Sequence, residues 1–265
     1  MCPESLLGKL VQLRRARPAL WLPFLTGWWR RRQKGSVPCV VRGGDRLLQV
    51  PLEDFYESYC FFCEHPHGRA EMNFFLDRLK PDETLYDIGA FRGAYSMIAK
   101  TRFPGAVIHL FEPLPKNVES IRRISQMNGF AAFKINPLAV GDGSSLSGNI
   151  DQRGGMFRLG DQAAGTEQQF PAITLDEYIM RGAPVPTVMK IDVDGFELHV
   201  LRGAHECLRK RRPRLWLEVH PEFLKAQGIS PDDVLNILRE AGYTISFFDD
   251  LNLPGAKFSY DIWCE

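Results

Sequence analysis

The sequence has no unbroken run of the roughly 20 apolar residues that a membrane-crossing helix needs, and it has no G-x-G-x-x-G. The first absence argues against a transmembrane chain. The second argues against the dinucleotide fingerprint, whose glycines admit a pyrophosphate. Internal repeats and low-complexity tracts are also missing, which excludes solenoid and compositionally disordered architectures. The net charge is only +1, so no overall basic field points to nucleic acid as a partner. The apolar stretch near the start, Ala19 to Trp29, is followed by Arg30-Arg31-Arg32 and not by a small-residue cleavage site. It reads poorly as a secretory signal, so reduced thiols and a cytoplasmic location are the default expectation.

What is present is globular. Of the 265 residues, 45% are hydrophobic and 25% charged, enough apolar content for a packed core. The length suits one α/β domain with extra segments. Charge is unevenly placed. Residues 1–35 hold eight basic side chains against one acid, Glu4, so the remainder is mildly acidic. Trp21, Trp28 and Trp29 lie in the same arm. Arginine and tryptophan together suit a peripheral contact with an anionic membrane surface; the same tryptophans also suit a helical cap on the main domain. Cys60 and Cys63 form a C-x-x-C followed by His65 and His67. The two pairs are too close for a usual zinc finger, and Phe61 and Phe62 fill the middle, so a buried apolar turn is expected. The division expected is a basic, aromatic arm and leading region over 1–70, then one domain over 71–265.

Within that domain, hydrophobic periodicity predicts a helix over Glu71 to Leu79. Strands are predicted over Thr84–Ile88, Ala106–Phe111, Ala131–Ile135, Thr187–Ile191 and Pro213–Val219. Helices are predicted over Ala94–Arg102, Pro115–Met127, Phe196–Arg209 and Pro231–Ala241, with closing strands over Tyr243–Phe248 and Phe258–Trp263. Such alternation implies a mostly parallel sheet covered on both faces. Gly141 to Pro186 lacks a clear period, apart from a strand over Phe170–Ile173 and a helix over Leu175–Met180. It is a candidate lid over the ligand crevice.

Four segments carry chemistry. In Leu85-Tyr86-Asp87-Ile88-Gly89-Ala90-Phe91-Arg92-Gly93, a strand ends in an acid and a glycine-bearing turn opens a helix. Asp87 can pair with an ammonium and the helix N–H groups with a carboxylate. S-adenosylmethionine carries both at its amino-acid end. In His109-Leu110-Phe111-Glu112-Pro113, a carboxylate at a strand tip is placed to accept from a ribose diol, with Asn117 near the same rim. In Lys190-Ile191-Asp192-Val193-Asp194-Gly195-Phe196-Glu197, a buried strand delivers acids to the carboxyl edge of the sheet. Lys190 and Asp192 alternate onto one face, and Glu197 fits a helix start. In Leu217-Glu218-Val219-His220, the pattern repeats, and His220 is the candidate base.

In this order, these segments resemble the FkbM family of S-adenosylmethionine-dependent methyltransferases, over roughly Glu71 to Glu265. Lys190 to Glu197 with Val200-Leu201-Arg202-Gly203-Ala204 is the most specific element. Asp87, Gly89, Ala90 and Gly93 match the first motif, Glu112-Pro113 the second, and Asn136 to Asp142, containing Ala139, the third. The resemblance implies a Rossmann-like class I methyltransferase fold, an α/β architecture with a mostly parallel seven-stranded sheet. It implies S-adenosylmethionine as cofactor, bound by Asp87, Gly89, Ala90, Gly93, Glu112, Pro113, Asn117 and Ala139. It implies methyl transfer to an oxygen of a glycan or other small molecule. Two residues depart from the family pattern. Phe91-Arg92 stands where asparagine and a small residue are common, predicting a reshaped loop, and Asp194 replaces glutamate.

Asp192 and His220 are expected to flank the acceptor, with Glu218 orienting and Lys190 on the same face. Three rivals carry different tests. A nicotinamide-dependent oxidoreductase lacks its glycine fingerprint here. A metal-assisted methyltransferase built on Asp192, Asp194 and Glu218 or His220 is a second rival, since oxygen ligands suit magnesium. A non-catalytic binding module on the same scaffold is the third.

Overall fold

The computed structural model describes residues 35–44, 46–130, 133–144, 146–151, 156–158, 168–248 and 259–265, with side chains left undescribed at 146–151, 156–158, 168 and 169. The tryptophans and arginines of the arm therefore lie outside the described residues, as does the membrane contact expected from them. Among the described residues, no helix is long and apolar enough to cross a membrane.

Strands β1 (Ser36–Val40) and β2 (Leu47–Pro51) form an antiparallel hairpin. Helical turns over Leu52–Asp54 and Phe55–Tyr59 follow, then helices α1 (Cys60–Glu64) and α2 (Pro66–Leu76). The central sheet uses β3 (Thr84–Ile88), β4 (Val107–Phe111), β5 (Phe133–Asn136), β11 (Val188–Ile191), β12 (Arg214–Val219), β13 (Ile245–Phe248) and β14 (Tyr260–Cys264), in the order β13-β14-β12-β11-β3-β4-β5. The pairs among β12, β11, β3, β4 and β5 are all parallel, and β14 runs antiparallel to both its neighbours. From β3 the chain builds outwards through β4 and β5, then returns to the other side of β3 for β11 and β12. The switch point lies beside β3, where ligands bind in open α/β sheets.

Side-chain alternation divides the core between two faces. Leu85, Ile108, Leu110, Val188 and Trp216 pack with α2, α3 (Ala94–Arg102) and α4 (Pro115–Met127). Tyr86, Met189, Ile191, Leu215 and Leu217 pack with α5 (Leu175–Met180), α6 (Glu197–Gly203), α7 (His205–Lys210), α8 (Pro221–Ala226) and α9 (Pro231–Glu240). The seven-stranded, doubly covered sheet expected from the sequence is present. Cys39, Leu48, Val50, Phe55 and Tyr59 sit in the first of these cores, so residues 35–70 share it, and α2 runs through position 70.

Several local expectations change. The C-x-x-C is a helix and not a buried turn: Cys60 and Cys63 are half-buried and Phe61 is exposed. Phe62 packs on Tyr95. Pro66 starts α2 five residues before the apolar period is visible. The helix predicted over Phe196–Arg209 is two, separated at Ala204. Pro171, which has no N–H to donate, separates β9 (Gln168–Phe170) from β10 (Ala172–Ile173), where one strand was predicted. Strand β10 pairs with the short β6 (Ala139–Val140). The long stretch after it also contains β7 (Leu146–Asp151) and β8 (Met156–Arg158), which with β9 make a small antiparallel sheet.

Candidate active site

At the carboxyl edge beside the switch point lies a cavity of about 340 Å³, within the range of small-molecule sites. Its wall includes Gly89 after β3, Glu112 and Pro113 after β4, Asn117 on α4, Ala139 on β6, Asp192 after β11, and Glu218 and His220 around the end of β12. The sheet order sets Glu112 and His220 three strands apart, roughly 14 Å at about 4.8 Å per strand. One cavity therefore spans the two halves of the predicted site.

The turn after β3 explains its glycine. Gly89 has φ +74°, and a Cβ there would stand 1.8 Å from the Asp192 carbonyl oxygen. Only glycine lets the cofactor turn pass so close to the strand that carries the acids. Ala90 and Gly93 shape the turn without lining the cavity: Ala90 donates its N–H to the Phe111 carbonyl, and Gly93, at φ +76°, faces Ile121, Leu110 and Met97.

Glu112 is buried. One carboxylate oxygen accepts the Phe91 N–H (2.8 Å), and the other accepts from Leu114 N–H (2.9 Å) and Asn117 Nδ2 (3.2 Å). Burial nevertheless wins over these hydrogen bonds and pushes its carboxyl up to about 7. Phe91, Phe111, Leu114, Val140 and Phe196 add the apolar part of the wall. The sequence reading missed these aromatic and aliphatic contributors, because a ring that lines a cavity has the same local signature as one in the core.

Asp87 lies in β3 beside Ile88, which lines the cavity. Asp87 itself does not. It accepts from Ser96 Oγ at 2.6 Å and lies 3.6 Å from Lys190 Nζ, its neighbour across the β3–β11 ladder. Its Oδ1 accepts no hydrogen bond among the described residues, and Asp87 shares the Lys190 cation with Asp192. Lys190 is likewise behind the wall, donating to the Gly89 carbonyl (3.0 Å) and to Asp192 Oδ2 (3.2 Å). Burial opposes its charge, but Asp192 and Asp87 outweigh burial and hold it above the ordinary lysine range.

Around His220 the charge is dense. Its Nδ1–H donates to Glu197 Oε1 at 2.8 Å, and Nε2 lies 3.4 Å from Glu218, 3.5 Å from Asp194 and 3.9 Å from Asp192. Burial lowers its proton affinity, but hydrogen bonds to Glu197 and Glu218 more than offset this and push it up to about 11. A proton affinity raised this far favours the imidazolium form at neutral pH, in which the ring orients carboxylates. Burial raises the Asp192 carboxyl, while Glu218 is lowered because His220 and Ser259 outweigh its burial. Glu197, fully buried and expected at a helix start, anchors His220. Ligand atoms of Asp192, Glu218 and His220 lie within 4.8 Å of one another, a spacing that admits a cation.

This site lies inside a segment that matches a described family. The Methyltransferase FkbM domain matches residues 87–245. The chain belongs to the FkbM methyltransferase-domain family. S-adenosylmethionine is accordingly its cofactor, as the sequence motifs led one to expect. Over 170 residues the chain is 31% identical to the hexuronic acid methyltransferase AglP of Haloferax volcanii, covering 63% of this chain and 65% of that protein. It is 26% identical over 215 residues to the 31-O-demethyl-FK506 methyltransferase FkbM of Streptomyces tacrolimicus, covering 68% of this chain and 79% of that one. Among solved structures, a methyltransferase FkbM from Methylobacillus flagellatus KT aligns with TM-score 0.49 at 15% identity, over 93% of this chain and 59% of that chain. The match thus spans somewhat less than two thirds of the length of two of these three relatives.

Proposed function

We propose that the protein transfers the methyl group of S-adenosylmethionine to a hydroxyl oxygen on a sugar, glycan or other small polyhydroxylated molecule. The observation that carries this reading is the single cavity that holds Glu112 and Gly89 on one side and Asp192, Glu218 and His220 on the other. The cofactor brings a methyl group on a sulfonium, which is both electrophile and leaving group. Glu112 suits a ribose diol, and the Phe91 and Phe111 rings suit an adenine.

The chain's own work is to place and deprotonate the acceptor. Asp192 is the carboxylate best suited to take the hydroxyl proton, because burial raises its proton affinity while Lys190 fixes one oxygen and leaves the other for the acceptor. Glu218 accepts a second hydroxyl. The His220 imidazolium, tied to Glu197, holds Asp194 and Glu218 in place. Alignment contributes several kcal/mol to such a displacement, and a general base roughly 100-fold or more in rate. Both relatives' names, one a hexuronic acid methyltransferase and the other a 31-O-demethyl-FK506 methyltransferase, favour an oxygen acceptor.

The test is transfer of labelled methyl to a panel of polyhydroxylated acceptors, with the ether position assigned in the product. Asp192→Asn is expected to lower kcat about 100-fold or more while cofactor binding persists. Full turnover in that variant contradicts the assignment. A second reading, assistance by a divalent cation, rests on the close spacing of Asp192, Glu218 and His220. Unaltered turnover after exhaustive chelation removes it. A peripheral membrane contact through residues 1–35 belongs with this proposal on composition alone, and co-sedimentation with anionic vesicles tests it.

A further inference from the structure

The family match begins at residue 87, yet the cofactor turn is held from outside that match. Arg92, which departs from the family pattern, is 3% exposed, and Asp54 and Tyr59 are fully buried. Arg92 Nη1 meets Asp54 Oδ1 at 2.5 Å, and its other terminal nitrogen pairs with Glu57. The Tyr59 hydroxyl donates to the Arg92 carbonyl at 2.9 Å. One residue is thus gripped through both side chain and backbone by a single segment. Phe55–Tyr59 winds as a π-helical turn, a form that often marks functional positions.

The same segment also reaches the helix that carries a wall residue of the cavity. Asp54 Oδ2 pairs with Arg123 Nη2 at 2.5 Å, and Glu53 pairs with Arg123 Nη1 at 2.5 Å. Arg123 belongs to α4, whose first turns carry Asn117. Asp54 therefore ties the turn after β3 to the helix after β4. Within that turn stands Phe91, at φ +50°, a conformation a bulky residue adopts only when its surroundings over-determine it. Its N–H bonds Glu112, so the strained backbone, the cavity-lining ring and the ribose carboxylate are one unit. Removing one partner of the buried Arg92–Asp54 pair leaves the other as an uncompensated charge, so the contact is costly to break.

We infer that Asp54 and Tyr59 are positioning residues for the cofactor cavity, acting through Arg92 to fix Phe91 and Glu112. The inference rests on the reading of this cavity as the S-adenosylmethionine site. It assigns residues 52–59 a part in cofactor affinity.

The test is calorimetric titration of the full-length chain with S-adenosylhomocysteine, at a temperature well below its unfolding transition. Wild type, Asp54→Asn, Glu57→Gln and Tyr59→Phe are compared. Hydrogen bonds to charged groups predict about tenfold weaker binding for Asp54→Asn. Tyr59→Phe, which removes one hydroxyl from an intact core, is expected to weaken binding several-fold. Stoichiometry stays near one, and KM for the cofactor rises while kcat changes little. A lowered Tm with unchanged affinity among folded molecules overturns the inference. If Asp54→Asn does not fold, Tyr59→Phe and the half-exposed Glu57→Gln decide it alone. If wild type binds no S-adenosylhomocysteine, the cofactor reading fails and takes this inference with it.

Discussion

At Glu112, burial and hydrogen bonding pull in opposite directions, and the balance places its titration near 7. Its ionised form accepts from a ribose diol; its protonated form gives up an acceptor for a donor. Affinity for S-adenosylhomocysteine is therefore expected to fall as pH drops from 8 to 6. A Glu112→Gln variant, weakened at least about tenfold, is expected to show no such slope. Titrations at several pH values check both. His220 gives the opposite kind of linkage. Its proton affinity is raised from 6.5 to about 11, so the stability it contributes is complete below pH 6.5 and is lost as pH rises through 11. The difference in urea midpoint between wild type and His220→Gln should be widest near pH 6 and close towards pH 10. A gap that widens with pH contradicts the imidazolium assignment. Sequence reasoning placed Glu112 and Asp192 on the cavity wall because strand tips in a parallel sheet all meet at one edge. It did not show that Asp87 and Lys190 become ladder neighbours within ion-pair distance, since nothing in a linear pattern reports strand register.

The turns between elements carry most of the site's geometry. Gly89 separates the turn after β3 from the tip of β11 by less than a methyl group can occupy. Gly89→Ala is expected to cost about 1–3 kcal/mol or more, from overpacking and from its positive φ together, and to weaken the cofactor site in the same molecule. Thermal unfolding and ligand titration measure the two effects. Long elements such as α4 and α9 were legible because their apolar periods run uninterrupted. The strands β7 and β8 were not, because neither sequence alternates over enough residues to show a period. The α1 helix was misread because Phe61 lies on its exposed side, where aromatic character says nothing about burial. The role of Arg92 was visible only as a departure from a pattern; its partners lie 38 and 35 residues upstream, beyond any local signal.

Across the whole molecule, one sheet with a core on each face positions every part of the site. Trp216 shows the coupling. It is 1% exposed, packs against Phe74 and Phe75, and donates Nε1–H to Tyr95. Two residues further along the same strand, Glu218 lines the cavity. Trp216→Ala is expected to destabilise the fold by about 3–5 kcal/mol, read as a lowered urea midpoint. Cys39, Leu48, Val50, Phe55 and Tyr59 of the leading region pack into the core on that face. The central claim is that this fold presents an S-adenosylmethionine cavity, and calorimetric titration of the intact chain with S-adenosylhomocysteine, alongside NAD and a Glu112→Ala variant, tests it most directly. Saturable binding of S-adenosylhomocysteine, no binding of NAD, and loss of the signal in the variant are expected. Folded protein that fails to bind S-adenosylhomocysteine, or that binds it equally well without Glu112, contradicts the account.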